Sequence, residues 1–480
     1  MSGFFKKRQH PIKIIGYTTK LFWLLLIPLA RSLIAVKFNV ATWLAGWWLD
    51  MIVVGIMFLY AFFRWFFVTF EIRQDEIYAN TGFFGFVKVR IPYSKVCTVS
   101  CSQGLIYRAF GAYNVYIDTN SGNSLKSDLK LTVNGFHIVK LKKYSKAETL
   151  KKTPFSYSPR KRNMIAFSFL FSSTLSGIIL FLTLIIQSSR IVGRELETRF
   201  FDTLNSYAQA FAVNLPYYVV IFAMVVFLGW LYSFSINMFR HFNFEVTRTD
   251  RHLIISSGAV TRRFHILSLD KINYIDIQQS LLMKVFKICS VHLHCTGYGK
   301  SRREIAVLIP VTTVSVVEKT MGLLLPEIKN TDVSLRPRVR NIMRFLWPPI
   351  WLCLGIPTAA IIVAYFVTGW SDIIRFVALM LEIPSIWLLI VKASSIFTTG
   401  VGINRDYATF SYCRFYKFHK VIVNVKDVSK ISIYQTPMQY LAKNASFKIN
   451  THGESNTYHT IKNFPLIKAQ RFYHRLKKEI

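Results

Sequence analysis

Residues 289–295 read Cys289-Ser-Val-His292-Leu-His294-Cys295 and place two thiols and two imidazoles in one short run. These are zinc-binding residue types, but the spacing argues against a single ion. On a strand, side chains alternate between faces, so Cys289, Val291, Leu293 and Cys295 share one face while His292 and His294 take the other. A tetrahedral site does not easily gather both sets. The expectation is a core face of buried cysteines; the alternative is that the two histidines are half of a site completed elsewhere. No G-x-x-x-x-G-K-[ST], H-E-x-x-H or G-x-S-x-G run is present, and the few carboxylates are dispersed. No catalytic residue, cofactor or metal is therefore expected.

Three ionisable residues fall within apolar stretches: Arg31, Asp50 and Glu382. Each could line a transport path or a subunit contact. The competing reading is that they sit at headgroup level and snorkel, which the places of Asp50 near a span start and Arg31 near a span end favour.

These residues need elements to position them, and composition bounds the choice. The chain has 480 residues, 52% of them hydrophobic, with 41 Phe and 10 Trp, yet its net charge is +36. Apolar segments in a bilayer with basic segments at its anionic face reconcile the two. Nucleic-acid binding accounts for the charge but not for the aromatic-rich runs, and no nucleic-acid partner is expected. The six cysteines form no CxxC, so a disulfide scaffold has little support. The basic N-terminus leads into apolar residues without a convincing cleavage site and reads as a retained anchor.

The apolar runs lie at 21–36, 44–67, 164–186, 212–236, 346–368 and 376–391, which predicts six crossings in three pairs. The first is the weakest, with Pro28 and Arg31 inside, and a re-entrant or surface-lying helix is its alternative. Lysines and arginines collect before the first, third and fifth runs. The positive-inside rule then puts both termini and the large polar blocks in the cytoplasm.

Three blocks remain, at 69–153, 243–330 and 396–480. Their apolar rhythm has period two: Val87, Val89 and Ile91; Val115 and Ile117; Val291 and Leu293; Val421, Val423 and Val425; Phe447 and Ile449. These are half-buried antiparallel strands. An offset of 176 maps the first block onto the second, carrying Gly82 to Gly258, Lys95 to Lys271, Gln103 to Gln279, Leu105 to Leu281 and Phe110 to Phe286. An offset of 156 maps the second onto the third, carrying Ile275 to Ile431 and Gln279 to Gln435, but Gly258 lands on Arg414. The first hairpin of the third block must turn differently. After Asn463, which can cap, and Pro465, the stripe Leu466, Ala469, Tyr473 and Leu476 makes an amphipathic closing helix. The stretch from Pro310 to Leu325 holds the matching place in the second block.

Paired helices followed by Val68-Thr-Phe, Thr81-Gly82, Ile91-Pro-Tyr-Ser-Lys95-Val96 and Leu105-Ile-Tyr-Arg-Ala-Phe-Gly111 resemble the bacterial pleckstrin-homology-like domain family of membrane proteins. The resemblance implies an α+β membrane protein in which helix pairs (1–68, 154–242, 331–395) alternate with three small pleckstrin-homology-like β-barrels, each closed by a helix. It also implies a bacterial inner-membrane location, a smaller membrane partner with the same kind of domain, and a link to resistance against peptide antibiotics. Basic residues in the first strands of each block, Lys88, Arg90, Arg262, Arg263, Arg414 and Lys417, are the candidates for contact with anionic phospholipid headgroups; an ordinary solvated strand face is the other reading. The function expected is a non-enzymatic membrane scaffold or lipid-facing assembly protein, with a lipid or amphiphile transporter as the alternative.

Overall fold

The computed structural model describes residues 7–25, 47–73, 75–82, 86–119, 127–135, 155–171, 202–203, 206, 217–298, 306–328, 333–337, 342–404, 406–451 and 458–479. Arg31, residues 26–36 of the first expected crossing and 172–186 of the third, and the basic cluster between 140 and 154 lie outside these residues.

Among the described residues, three helices are long and apolar enough to cross a membrane. They are Ala223–His241 within α5, Phe345–Phe366 within α8 and Ile373–Thr398 within α9; Met51–Phe67, within α2, is a shorter apolar helix. In chain order the helices are α1 (Lys13–Thr18), α2 (Trp47–Phe67), α3 (Leu105–Ala109), α4 (Lys161–Phe171), α5 (Tyr217–His241), α6 (Leu281–Val285), α7 (Val314–Leu324), α8 (Ile342–Phe366), α9 (Ser371–Thr398), α10 (Pro437–Leu441) and α11 (Leu466–Glu479). A single 3-10 turn, Thr368–Trp370, joins α8 to α9, and the two pack along each other, with Cys353 Sγ 3.0 Å from Ser385 Oγ. Pro348, Pro349 and Pro357 lie inside α8 and Pro384 inside α9.

The strands fall into three groups separated by the long helices. After β1 (Lys7–Arg8), the first group is β2 (Thr69–Ile72), β3 (Glu76–Thr81), β4 (Val87–Pro92), β5 (Val96–Gln103), β6 (Ala112–Thr119) and β7 (Leu129–Asn134). After β8 (Phe155–Tyr157) come β9 (Glu245–Arg248), β10 (His252–Ser257), β11 (Arg262–Ser268), β12 (Ile272–Ser280), β13 (Ile288–Cys295) and β14 (Val307–Thr313). The third group is β15 (Gly400–Ile403), β16 (Tyr407–Arg414), β17 (Lys417–Asn424), β18 (Val428–Tyr434), β19 (Asn444–Thr451) and β20 (Tyr458–Pro465). In every group a 3-10 turn (Tyr93–Lys95, Leu269–Lys271, Val425–Asp427) separates a first three-strand meander from a second.

The sheets do not stop at the block boundaries expected from sequence. Their orders are β1-β2-β3-β4, β7-β6-β5-β11-β10-β9-β8, β14-β13-β12-β17-β16-β15 and β18-β19-β20. The second meander of one group therefore continues edge to edge into the first meander of the next. Strands at these junctions are buried on both faces. Leu267 packs in the core of the second group while its neighbour Ile266 packs in that of the first. Ile275 belongs to the second core and Tyr274 to the third. A strand covered on both faces reads as a continuous apolar run, and Val421-Ile422-Val423 in β17 is one. By contrast β4, with Lys88 and Arg90 between Val87, Val89 and Ile91, is a sheet edge among the described residues.

The helix α11 packs on β18, β19 and β20 and buries Ala469, Phe472 and Leu476. Phe472 was absent from the sequence stripe. Asn463 is itself a residue of β20, buried with φ 68°, and its Oδ1 accepts a hydrogen bond from Gln439 Nε2 at 2.6 Å. The helix α7 packs on β13 and β14, and all six cysteines are free thiols.

Candidate membrane-facing interface

The same local construction occurs three times. Gln103, Gln279 and Gln435 each donate Nε2 to a carbonyl oxygen nine residues on, that of Ala112 at 3.3 Å, Ile288 at 2.9 Å and Asn444 at 2.6 Å. Each bond ties the two ends of a short excursion containing α3, α6 or α10. Ser280 Oγ accepts from Met283 N at the start of α6, and Thr436 with Gln439 forms a capping box on α10. The excursions end on a left-handed residue, Gly111 (φ 62°), Lys287 (φ 52°) or Lys443 (φ 52°). The carbonyls of these residues then accept from Gly135, Val314 and Leu466. The glutamine is thus a splint, which explains why it stands at matching positions. Gln279→Ala is expected to cost about 2 kcal/mol, because it leaves the Ile288 carbonyl without its partner. Faster amide hydrogen exchange over residues 281–287 would show it.

What the splints hold outward is apolar. On α3, Leu105, Ile106 and Phe110 are exposed; on α6, Leu282, Val285 and Phe286; on α10, Tyr440 and Leu441, the last at 84%. Cations stand among them: Arg108, Lys284, Lys287 and Lys443. Lys284 Nζ lies 3.4 Å from the centroid of the Phe418 ring, and burial pushes its pKa down to about 8.

Two of these short helices, α3 and α6, stand beside the tip of the next group's first hairpin. Gln103 is opposite Arg262 and Ser280 is opposite Lys417, so α3 and α6 begin where the β10–β11 and β16–β17 hairpins turn. Both tips touch long apolar helices. Gly258 N donates to Phe242 O at 2.7 Å and Ala259 N to Phe239 O at 3.0 Å, at the end of α5. Lys392 Nζ of α9 donates to Cys413 O at 3.1 Å, and Tyr416 Oη donates to Pro384 O at 3.1 Å. The third hairpin turns on Phe415, at φ 51°, in place of a glycine.

The sequence candidates for headgroup contact distribute over this end of the molecule. Arg262, Arg414 and Lys417 are exposed at the hairpin tips, and Arg263 is half-buried. Lys88 is exposed near the tip of β4, and Arg90, two residues along, is exposed with its guanidinium 5.5 Å from the Tyr78 ring centroid. Of the charges in apolar stretches, Asp50 is in the first turn of α2, and Arg31 lies outside the described residues. Glu382 is well inside α9, with Oε2 buried and lacking a hydrogen-bond partner among the described residues.

Among the described residues, His292 and His294 are not part of a group of three or more His, Cys, Asp or Glu side chains that could hold an ion. They belong to a polar layer between the second and third groups. His292 is hydrogen-bonded to Ser290 Oγ at 3.1 Å, and His294 stacks on Tyr274 with ring centroids 4.2 Å apart. Asp276, opposite His292, pairs with His419 of β17 at 2.8 Å. Burial alone would raise the Asp276 carboxyl, but the hydrogen bond from His419 and the surrounding imidazoles hold it down at about 2. Cys289 and Cys295 lie in the apolar core, and burial pushes the Cys289 thiol up to about 11.

Sequence reasoning missed a cavity of about 1010 Å³ where the three groups meet. Asp75, Asp250, Asp270, Glu327 and Asp427 line it, against Arg251 and Lys271. In a chain with 60 Lys and Arg and only 24 Asp and Glu, that inverts the prevailing sign. The cavity is assembled from strand pairings far apart in sequence, which no local pattern announces.

The sequence profile of a bacterial PH domain matches residues 23–153 and 176–327. The UPF0699 transmembrane protein YdbT of Bacillus subtilis (strain 168) is 21% identical over 333 residues, covering 62% of this chain and 64% of that protein. The chain thus spans less than two thirds of the length of this curated relative.

Proposed function

Because this chain belongs to the bacterial PH domain family of membrane proteins, we propose that it is a non-enzymatic scaffold that lays three linked PH-like units against an anionic membrane surface. In this reading helix pairs alternate with the units, each unit is closed by a helix, and the units face the cytoplasm of a bacterial cell. Anionic phospholipid is the partner at the rim. The observation that carries the proposal is the threefold placement of exposed apolar side chains among cations, with α3 and α6 beside hairpin tips that touch apolar helices. Eight such side chains, on α3, α6 and α10, would contribute on the order of 10 kcal/mol if they entered the acyl boundary. Each nearby Lys or Arg would add about 1 kcal/mol at an anionic leaflet.

The test places a photo-reactive benzoylphenylalanine at Phe286 or Leu441 of the full chain in nanodiscs containing phosphatidylglycerol. Asp270, 74% exposed in a 3-10 turn at the other end of the strands, is the control position. Lipid adducts at Phe286 and Leu441 but not at Asp270 are expected. Adducts to protein alone at both rim positions would overturn the reading.

A further inference from the structure

The chain makes one interface twice. At the first junction β5 runs antiparallel to β11, with Thr98 opposite Leu267, Val99 opposite Ile266 and Ser100 opposite His265. At the second β12 runs antiparallel to β17, with Tyr274 opposite Val423, Ile275 opposite Ile422 and Asp276 opposite Val421. The offsets of 176 and 156 carry Thr98 to Tyr274 and Leu267 to Val423, so the two junctions share one register. The interface is heterologous: the strand after the 3-10 turn of one unit meets the strand before that turn in the next.

An interface of this kind leaves one unused half at each end. The strand equivalent to β11 and β17 in the first unit is β4, and the strand equivalent to β5 and β12 in the third is β18. Among the described residues β4 pairs only with β3, and β18 only with β19. An open cleft of about 570 Å³ runs beside β4, lined by Val89, Arg90, Ile91 and Lys95. Val87 on β4 and Tyr434 on β18 are large apolar side chains left exposed.

We propose that β18 of one copy pairs antiparallel with β4 of a second copy of this chain. The shared register sets Lys430 opposite Ile91, Ile431 opposite Arg90, Ser432 opposite Val89 and Ile433 opposite Lys88. A second copy is the occupant because the chain itself carries both halves and already joins them twice. The two internal junctions also keep the hairpin tips and their apolar helices at one end of the sheets, so a third junction of the same geometry keeps both copies in one membrane. A head-to-tail contact repeats, giving a ring or an open string.

Charge decides where this happens. Lys88, Arg90 and Lys430 lie on the two edges, and lysines on an open edge discourage pairing in free solution. The second junction nevertheless seats Lys420 opposite Ile277, the counterpart of Lys88 opposite Ile433. Anionic headgroups near the rim offset the remaining repulsion, so pairing belongs to the membrane-bound protein.

The experiment mixes two full-length chains, one carrying Val89→Cys and the other Ser432→Cys, in vesicles of phosphatidylglycerol and phosphatidylethanolamine under mild oxidation. Directly opposed antiparallel residues have Cα atoms about 4.5–5.5 Å apart, within disulfide reach. A disulfide-linked dimer is expected in the mixture, well above that of either chain alone and above the unmodified chain with its six native thiols. Absence of the dimer, with maleimide labelling showing both new thiols reactive, would overturn the proposal. So would equal yield from the one-residue slip, Lys88→Cys with Ser432→Cys, because that signals collision and not a fixed register.

Discussion

Shifting the pH from 7.5 to 5.5 should loosen the sheet junctions, with a loss of stability of about 4 kcal/mol. Three buried histidines produce most of it, and His252 and His294, also pushed down by burial, act in the same direction. Burial pushes His292 down to about 3 and His265 and His459 down to about 4, against an unfolded value near 6.5. The cationic neighbours of each act in the same direction, and only Asp276 opposes them at His292 and His459. All three fold as neutral rings: His265 is hydrogen-bonded to Ser100 Oγ at 2.8 Å across the first junction, and His459 to Tyr412 Oη at 2.9 Å in the third unit.

The sign follows from the folded values lying below the unfolded one. Below about pH 6.5 the unfolded chain takes up protons that the folded chain refuses, so stability is complete above that pH and falls with each step below it. Each histidine costs about 1.4 kcal/mol per pH unit until its folded value is reached. The depressed carboxyl of Asp276 belongs to a lower window. Its contribution is intact above its unfolded value near 4 and is lost only as the pH falls toward about 2. Hydrogen exchange of β12, β13 and β17 amides in the nanodisc-bound chain, followed across this range, measures the effect. His292→Gln should remove roughly a third of the slope. Protection factors, the ratio of intrinsic to observed exchange, that are flat from pH 7.5 to 5.5 would show that these rings are not buried as neutral groups.

Much of the local structure was legible in the sequence, and the partnerships were not. Val115 and Ile117 alternate and are buried in β6; Val291 and Leu293 do the same in β13. Alternation says which side chains share a face. It does not say which strand lies alongside, and so the joining of β5 to β11 and of β12 to β17 went unread. A signal for it existed. Val421-Ile422-Val423 and the Ile266-Leu267 pair are too continuous for a strand with one wet face, whereas Val87-Lys-Val-Arg-Ile91 is not. The rim was half legible: the repeated glutamine and leucine were visible, but the splinting bond depends on a carbonyl across a turn. Lys287 and Lys443 hide the left-handed position that Gly111 marks in the first unit.

Gly258→Val should be the most damaging single change in the second unit, at on the order of 4 kcal/mol. The glycine has φ 105°, a conformation that side chains bearing a Cβ rarely adopt, and an added Cβ would collide with the carbonyl oxygen of Thr261. Backbone cannot swing aside there as a flexible side chain would. The same residue donates its N–H to Phe242 O at the end of α5, so relief of the clash also undocks the hairpin from its apolar helix. Two comparisons isolate the cause. At Gly82, φ 85°, the added atom would meet the Val87 side chain at 3.0 Å and backbone no nearer than Val87 N at 3.8 Å, and the penalty should be smaller. At Gly111 the added atom meets nothing within 4 Å, and lysines already occupy the matching positions at φ 52°, so Gly111→Lys should leave stability within about 1 kcal/mol of the parent. Denaturation of the three full-length variants in the same nanodiscs ranks them. If Gly258→Val unfolds no earlier than Gly82→Val, the hairpin tip is not clamped against α5 and does not hold the rim to the membrane helices.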